Sequence, residues 1–409
     1  MKDFVLTKKK LGMGFLLTFL ISVIIWKIAW TPNPFVLLYS IFVTLFLGAT
    51  IALALGYQHV SPNLKFTPSV SIVVPVYNEN WRTLKKVISS ALKTRYPGKK
   101  EVIVVDDGST NGISEKLKKM KGIKSIIFQK NRGNKFARAE GIKNASGEII
   151  VFIDSDTMLH RDSILHIVAP FKHKSVGAVS GHLRVKDPHR TLMTKLQDGW
   201  YYTNFRVFRG AEDRMRFVSC CPGAFSAYRK SVITPAVMKE WLYGKFLGLE
   251  VTAGVDRALT NLVLRTHDVV YQSSAIAYTV VPSNWKKFIK QQIRWTKSWI
   301  RETLYLSTFA FKKGTRSLFF YASASLHLMN YGFLFFSLFI LPFLTGLPFY
   351  PVFYLTGTML AGGVYALFCR KETRLWKWRA VFPALYALII LPIFIFSLLT
   401  LKDASWGTR

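Results

Sequence analysis

Acidic residues are scarce in this 409-residue chain: 22 Asp and Glu stand against 56 Lys and Arg, a formal net charge of +34. Cysteines are fewer still. The three, Cys220, Cys221 and Cys369, have neither metal-ligand spacing nor the even count of a disulfide framework, so they read as reduced thiols facing the cytosol and no zinc site is expected. There is no internal repeat, no low-complexity segment and no recognisable nucleic-acid module. The basic excess is therefore read as contact with anionic membrane lipid and as a positive-inside signal, with nucleic acid the weaker alternative. Half of the residues are hydrophobic, and a mean hydropathy of +0.23 beside so large a charge is explained by membrane segments with basic flanks.

Those segments lie at the two ends. Lys8-Lys-Lys10 precede an apolar run from Leu11 to Trp30, and after the short uncharged loop Thr31-Pro-Asn-Pro34 a second runs from Phe35 to Gly56. This predicts a helical hairpin over 1–60 with both ends in the cytosol. A cleaved signal peptide is the alternative for the first run, but it is long and lacks a small-residue cleavage site. Beyond Pro282, Trp285-Lys-Lys-Phe-Ile-Lys-Gln-Gln-Ile-Arg-Trp295, continuing to Phe311, reads as a pair of amphipathic interface helices over 283–316. Leu318 to Gly346 and Phe349 to Phe368 predict a second hairpin, closed by the basic cluster Arg370 to Arg379. The last apolar run, Ala380 to Leu401, has the length of a span, but Pro383, Pro392 and basic residues on both flanks favour a re-entrant or interfacial segment that returns the tail to the cytosol.

Between the ends, over 61–282, short β-rich runs alternate with helical, Lys-rich segments: Val70 to Pro75, Glu101 to Val105, Ser125 to Phe128, Glu148 to Ile153 and Val176 to Ser180. This alternation predicts a mostly parallel α/β sheet, whose ligands sit at the carboxyl ends of its strands. Those ends carry Asn78-Glu79, Asp106-Asp107-Gly-Ser109 and Asp154-Ser-Asp156. Two carboxylates one residue apart at a strand end suit Mg²⁺ or Mn²⁺ with phosphate oxygens, and so a nucleotide diphosphate. One acidic turn is an ordinary solvated loop; three in register with strand ends are read as one site.

Pro75-Val-Tyr-Asn-Glu79, Val105-Asp-Asp-Gly-Ser109, Asp154-Ser-Asp156, Gly254-Val-Asp256-Arg257 and Gln291-Gln-Ile-Arg-Trp295 stand in the order seen in processive family 2 glycosyltransferases, which the chain resembles over nearly its whole length. It is most similar to the hyaluronan synthases, through Ser180 to Val185, Ser219 to Arg229, Asp256 to Asn261, Gln291 to Glu302 and Asp403 to Arg409. Chitin and poly-N-acetylglucosamine synthases share most of the core motifs. The resemblance implies a GT-A-type, Rossmann-like cytosolic domain inserted between transmembrane helices of a multi-pass plasma-membrane enzyme. Its partners would be UDP-sugar donors, membrane lipid and a growing β-linked polysaccharide that it translocates. A non-processive lipid-linked glycosyltransferase and a transporter with a degenerate soluble domain are the competing readings.

Carried over residue by residue, the resemblance makes Asp156, with Asp154, the ligands of Mg²⁺ or Mn²⁺. Asp107, with Asp106 beside it, Asn78 and Glu79 then line the nucleotide pocket, and Asp256 is the base of an inverting transfer. Arg294 contacts the diphosphate, while Trp295 and Gln292 hold the acceptor. Lys135 takes the place of a donor-binding cation, one residue later than usual because Asn134 follows Gly133. Cys221 and Gly223 line the acceptor pocket, and Trp406 and Arg409 belong to a tail that closes over the nucleotide. Several have a plainer alternative: a loop for Asn78 and Glu79, a helix N-cap for Asp256, headgroup anchors for Arg294 and Trp295, and a small buried residue for Cys221. Val255 departs from the hyaluronan synthases, which usually carry a second acid there.

Overall fold

The computed structural model describes residues 17–402 apart from 19, 26, 30–33, 247, 251–253, 347–349, 368–369 and 371–372. Its centre is an eight-stranded mixed sheet built from β1 (Val70–Val76), β2 (Lys100–Asp106), β3 (Lys124–Ile127), β4 (Ile149–Ile153), β5 (Met158–Leu159), β6 (Val176–Val185), β7 (Phe225–Arg229) and β10 (Asp268–Thr279), in the order β3-β2-β1-β4-β7-β6-β10-β5. A separate two-stranded ribbon pairs β8 (Lys245–Phe246) with β9 (Leu249–Glu250). The half from β3 to β4 is parallel. β7 runs antiparallel to both β4 and β6, β6 and β10 are parallel, and β5 is an antiparallel edge.

The predicted parallel sheet is thus half of a mixed one. β1 and β4 are buried at every position, which is why Val-Ser-Ile-Val-Val-Pro-Val and Ile-Ile-Val-Phe-Ile read as continuous apolar runs instead of alternating ones. Phe225-Ser-Ala-Tyr-Arg229 and Asp268 to Thr279 went unread because small and polar residues interrupt them, and β6 continues five residues past the predicted Ser180. Register then fixes the site: Val76 pairs with Asp106 and Val73 with Phe152, so the three strands release their acidic turns along one edge.

The apolar segments flank this sheet. Val36–Gly56, part of Trp285–Leu344, and Trp378–Leu399 are long and apolar enough to cross a membrane. In the expected first hairpin, Leu11 to Trp30 is described only in part; in the expected second, the run Phe349 to Phe368 contains the helix Tyr350–Leu367. Where a pair of interface helices was expected, Trp285–Ala310 forms one 26-residue helix, followed by a tight turn at Phe311–Ser317 and the helix Leu318–Phe335. Trp378–Leu399 is likewise a single helix with Pro383 and Pro392 inside it, so the chain reversal that a re-entrant segment needs does not occur between those residues. Prolines are tolerated in such helices where neighbouring helices pack against them, and Trp378–Leu399 packs along Tyr350–Leu367, Trp285–Ala310 and Leu192–Thr203.

Polar side chains tie the apolar helix Pro34–Gly56 to the sheet. Tyr57 donates to the Tyr271 carbonyl at 3.1 Å and accepts the Ser273 N–H at 2.8 Å, while the Gln272 amide brackets Val60, accepting from its N–H at 3.0 Å and donating to its carbonyl at 2.6 Å. Asp213 accepts the Tyr271 N–H at 2.8 Å. Burial pushes the Asp213 carboxyl up from 3.8 to about 6, against that N–H and the charges of Arg216 and Arg214. Because the folded state holds this proton to higher pH than the unfolded chain does, the ionised carboxylate costs stability, fully above about pH 6 and less as the pH falls towards 3.8. Asp213→Asn keeps the acceptor without the charge. It is expected to raise the melting temperature of the purified protein near neutral pH, by an increment that disappears on acidification; a lower melting temperature at neutral pH would contradict this account.

Candidate active site

The turns after β1, β2 and β4 are laced together. The Asn78 N–H donates to Ser109 Oγ at 2.8 Å, Asn78 Oδ1 accepts the Thr110 N–H at 2.8 Å, and Glu79 Oε2 accepts the Ser155 hydroxyl at 3.0 Å. The adjacent Asp106 and Asp107 have different tasks, as neighbours at a strand end point to opposite sides. Asp106 is fully buried and accepts from the Ser109 N–H and the Ser114 hydroxyl, so it anchors its own turn and does not line the cavity. Asp107 faces the cavity and accepts from Asn131 Nδ2 at 3.1 Å and the N–H groups of Arg132 and Gly133 at 2.7 and 2.9 Å. Burial raises its carboxyl above the usual range while those N–H groups pull it down. It shapes the loop that leads into the helix Asn134–Lys143.

That helix supplies a residue that sequence reasoning missed. Arg138 lies on it, 4% exposed, four residues after Asn134, whose Oδ1 it binds at 2.7 Å. One nitrogen, Nη2, donates to Asp154 Oδ1 at 2.7 Å and to the Gly223 carbonyl at 3.1 Å, with the guanidinium 4.8 Å over the Phe152 ring. Asp154 is therefore engaged by a fixed cation, whereas Asp156 lines the cavity beside it and accepts from its neighbour Thr157 at 3.3 Å. Lys135 also reaches the cavity wall and donates to the Leu242 carbonyl at 3.0 Å.

Across the cavity stands Asp256, in the first turn of the helix Val255–Leu264. Gly254 occupies the N-cap position, so the plainer reading of Asp256 as a cap does not hold. The carboxylate instead accepts the Gly223 N–H at 3.0 Å and the Arg257 N–H at 2.9 Å. Of the two residues expected to line the acceptor pocket here, Gly223 lines the cavity, with Pro222 and Cys220, whereas Cys221 is wholly buried with its N–H on Thr260 Oγ1 at 3.0 Å.

The helix Trp285–Ala310 closes the site with Gln291, Gln292, Arg294 and Trp295. Gln292 Oε1 accepts the Tyr386 hydroxyl at 3.1 Å, and the Trp295 ring lies 5.9 Å from Trp200, which packs in turn on Phe382. Trp200 is a second cavity residue not singled out from the sequence; its place in the aromatic run Trp200-Tyr-Tyr202 was the available signal. Asn261 Nδ2 donates to Glu302 Oε2 at 2.9 Å, fastening the helix of Asp256 to the helix of Trp295. Trp406 and Arg409 lie outside the described residues.

A single cavity of about 1740 Å³ joins Asp107, Lys135, Asp154, Asp156, Asp256, Arg294 and Trp295 and continues between the apolar helices past Tyr39, Asn330, Phe333, Ser337 and Thr358; Asn78 and Glu79, expected in the nucleotide pocket, do not line it. For a divalent cation the donor set is a pair of aspartates; among the described residues no three His, Cys, Asp or Glu side chains gather. Two such carboxylates, one already engaged by Arg138, suit Mg²⁺ or Mn²⁺, which complete their shell with phosphate oxygens and water.

Residues 71–234 match glycosyl transferase family 2. An N-acetylglucosaminyltransferase of Azorhizobium caulinodans is 30% identical over 358 residues, 85% of this chain and 89% of that protein. A hyaluronan synthase of Streptococcus pyogenes is 32% identical over 266 residues, 62% of this chain and 63% of that protein. Among solved structures, a mannosyltransferase from Pyrobaculum calidifontis in complex with GDP-mannose and Mn²⁺ superposes with a TM-score of 0.55 at 20% identity, covering 86% of this chain and 96% of that one. The chain belongs to glycosyl transferase family 2, and its sheet has the GT-A-like fold of glycosyltransferases.

Gly254 sets the approach of the Asp256 helix to its neighbour. Its φ is +80°, and an added Cβ would lie 2.1 Å from Ser298 Oγ. Gly254→Ala is expected to cost at least about 1 kcal/mol of stability, as alanine at positive φ does, and to lower turnover by displacing Asp256. Thermal melting beside initial-rate measurement checks this; unchanged stability and rate would show that the contact relaxes freely.

Proposed function

We propose that the protein is a membrane-embedded, inverting, processive hexosyltransferase that polymerises UDP-sugars into a β-linked polysaccharide and passes it out between its own helices. The closest reading is hyaluronan synthase-like, from UDP-GlcNAc and UDP-GlcA. The observation that carries it is the cavity, which runs without interruption from the aspartates at the strand ends to the space between apolar helices. In this reading 61–282 is the cytosolic catalytic domain of a multi-pass plasma-membrane enzyme, 1–60 and 317–409 carry its membrane segments, and 283–316 lies at their junction.

In this reading the cavity side chains have chemical tasks. Asp256 takes the proton of the acceptor hydroxyl as that oxygen attacks the anomeric carbon from the face opposite the diphosphate, and the bond to UDP breaks with its electron pair going to the leaving oxygen. A divalent cation held at Asp156 would offset the charge developing on the diphosphate. Arg294, which lines the same cavity, would supply positive charge for the diphosphate, and Trp295 with Trp200 presents aromatic faces on which a sugar ring can stack. Asp107 shapes the nucleotide end through loop 131–133, Lys135 adds positive charge to that wall, and Trp406 and Arg409 would close over the nucleotide.

A second reading is synthesis of an N-acetylglucosamine polymer or oligomer of the chitin or poly-N-acetylglucosamine kind, favoured by the N-acetylglucosaminyltransferase likeness over 85% of the chain. Incorporation of labelled sugar by the purified protein with Mg²⁺ or Mn²⁺ separates the two. High-mass polymer made only when both donors are present, and digestible by hyaluronidase, supports the first; polymer from UDP-GlcNAc alone supports the second. Short lipid-linked products would defeat the processive reading. Within either, Asp256→Asn is expected to keep UDP binding and lose about 10²- to 10⁴-fold in turnover, the usual worth of a general base. Asp156→Ala should weaken metal-dependent UDP binding. Near-normal turnover of Asp256→Asn would remove it as the base.

A further inference from the structure

The mechanism above leaves Arg138 without a task, although it is among the most buried cations in the chain. Its nitrogen Nη2 reaches Asp154 Oδ1 at 2.7 Å on one side and the Gly223 carbonyl at 3.1 Å on the other. Gly223 in turn donates its N–H to Asp256 Oδ2 at 3.0 Å. A single residue, Gly223, thus accepts from the arginine at one end of its backbone and donates to the carboxylate at the other. We infer that Arg138 and Gly223 form a strut that sets the position of Asp256 against Asp154, so that Arg138 is a positioning residue for proton transfer. The inference rests on the reading of Asp256 as the base.

The surroundings support a fixed strut. Arg138 is held by Asn134 Oδ1 on its own helix and lies over the Phe152 ring, so it cannot swing without breaking contacts on both sides. Gly223 follows Pro222, whose ring restricts the backbone on the approach. Asp256 is fastened at its far side to the Arg257 N–H at 2.9 Å, which leaves the Gly223 N–H as the adjustable contact on Oδ2. The space beside Gly223 is filled by the arginine itself: a Cβ built on Gly223 would lie 2.8 Å from Arg138 Nη2. The Arg138–Gly223 contact can therefore be disturbed from either side, by replacing the guanidinium or by adding a methyl group to the glycine.

Arg138→Lys keeps a positive charge near Asp154 but loses the planar group that Asn134 holds through Nε and whose Nη2 bonds Asp154 and Gly223 together. A base displaced by a fraction of an ångström slows the chemical step without changing how the nucleotide is held, so kcat should fall about tenfold while the donor KM, and the Kd for UDP with Mn²⁺ measured by calorimetry, stay within about threefold. Gly223→Ala should give the same split from the opposite end, and the double variant should be no slower than the slower single one, since both cut the same strut. An unchanged kcat in Arg138→Lys, or a loss of UDP affinity in proportion to kcat, would overturn the inference. So would full additivity of the two changes. Should Arg138→Lys fail to bind UDP at all, Gly223→Ala decides alone: the kcat-specific loss upholds the strut and any other pattern removes it. Asp256→Asn, assayed in parallel, keeps the two ideas apart, because its normal turnover would remove the base while leaving the Arg138 result to be read as donor-site packing.

Discussion

Like charges brought into one cavity repel, and this cavity faces Asp107, Asp154, Asp156 and Asp256. Three of them are balanced by donors that cannot move far: loop N–H groups on Asp107, the Arg138 guanidinium on Asp154, and the N–H groups of Gly223 and Arg257 on Asp256. Backbone N–H groups are well suited to this task because they stabilise a carboxylate without adding a mobile cation that a diphosphate would attract. Asp156 lines the same cavity and accepts from its neighbour Thr157 at 3.3 Å. The kind of partner, more than the number of aspartates, distinguishes them.

Such an arrangement keeps its geometry only if the sheet and the helices above it are joined rigidly, and the joints are polar. Tyr57 and Gln272 bind the end of one apolar helix to β10, Asn261 and Glu302 bind the helix of Asp256 to the helix of Trp295, and Asp268 at the start of β10 accepts from Arg216 at 2.7 Å and from Arg316 at 2.9 Å. Arg316 belongs to the turn between the long helix and Leu318–Phe335, so this last cluster reaches from the sheet to the base of the next apolar helix. Hydrogen bonds of fixed direction suit a seam of this kind better than apolar contacts alone, because apolar surfaces can slide.

Much of this was legible in the sequence where one residue's neighbours along the chain decide its surroundings. Continuous apolar runs ending in acidic turns disclosed β1, β2 and β4, because a strand buried on both faces has no alternation to hide it. β7 was not legible: Ala227 and Ser226 are small, and their burial comes from the flanking strands, which lie far away in sequence. Arg138 was missed for the same reason, since its partners Asp154 and Gly223 are 16 and 85 residues distant. Cys221 was misplaced because it alone of 219–224 turns away from the cavity, in a loop without strand periodicity whose direction is set by the bond from its N–H to Thr260, 39 residues distant. The long helix from Trp285 was expected to break; its basic, aromatic composition matches an interface, but the buried face that keeps it continuous is supplied by the helices Val255–Leu264 and Trp378–Leu399 packed along it.

The part of the cavity between the apolar helices has a character of its own, which bears on the proposed passage of a polymer. Its polar groups are neutral or partnered at close range: Tyr39 donates to Asn330 Oδ1 at 3.2 Å, and the Tyr39 ring stacks on Phe333 with centroids 3.7 Å apart. Lys27, the cation at that end, donates to the Ser40 carbonyl at 2.9 Å and to Thr44 Oγ1 at 2.7 Å. A sugar chain offers apolar ring faces and hydroxyl edges, and a wall of aromatic rings and hydroxyl or amide groups matches both. Passage also requires that no single contact be strong enough to hold the chain, since a site that binds too well cannot release. On the proposed reading, aspartates concentrated at the strand ends, with aromatic, hydroxyl and amide groups and an already engaged Lys27 beyond them, would meet that requirement: the strongest electrostatic binding would fall where the nucleotide is held, and weaker contacts would line the way out.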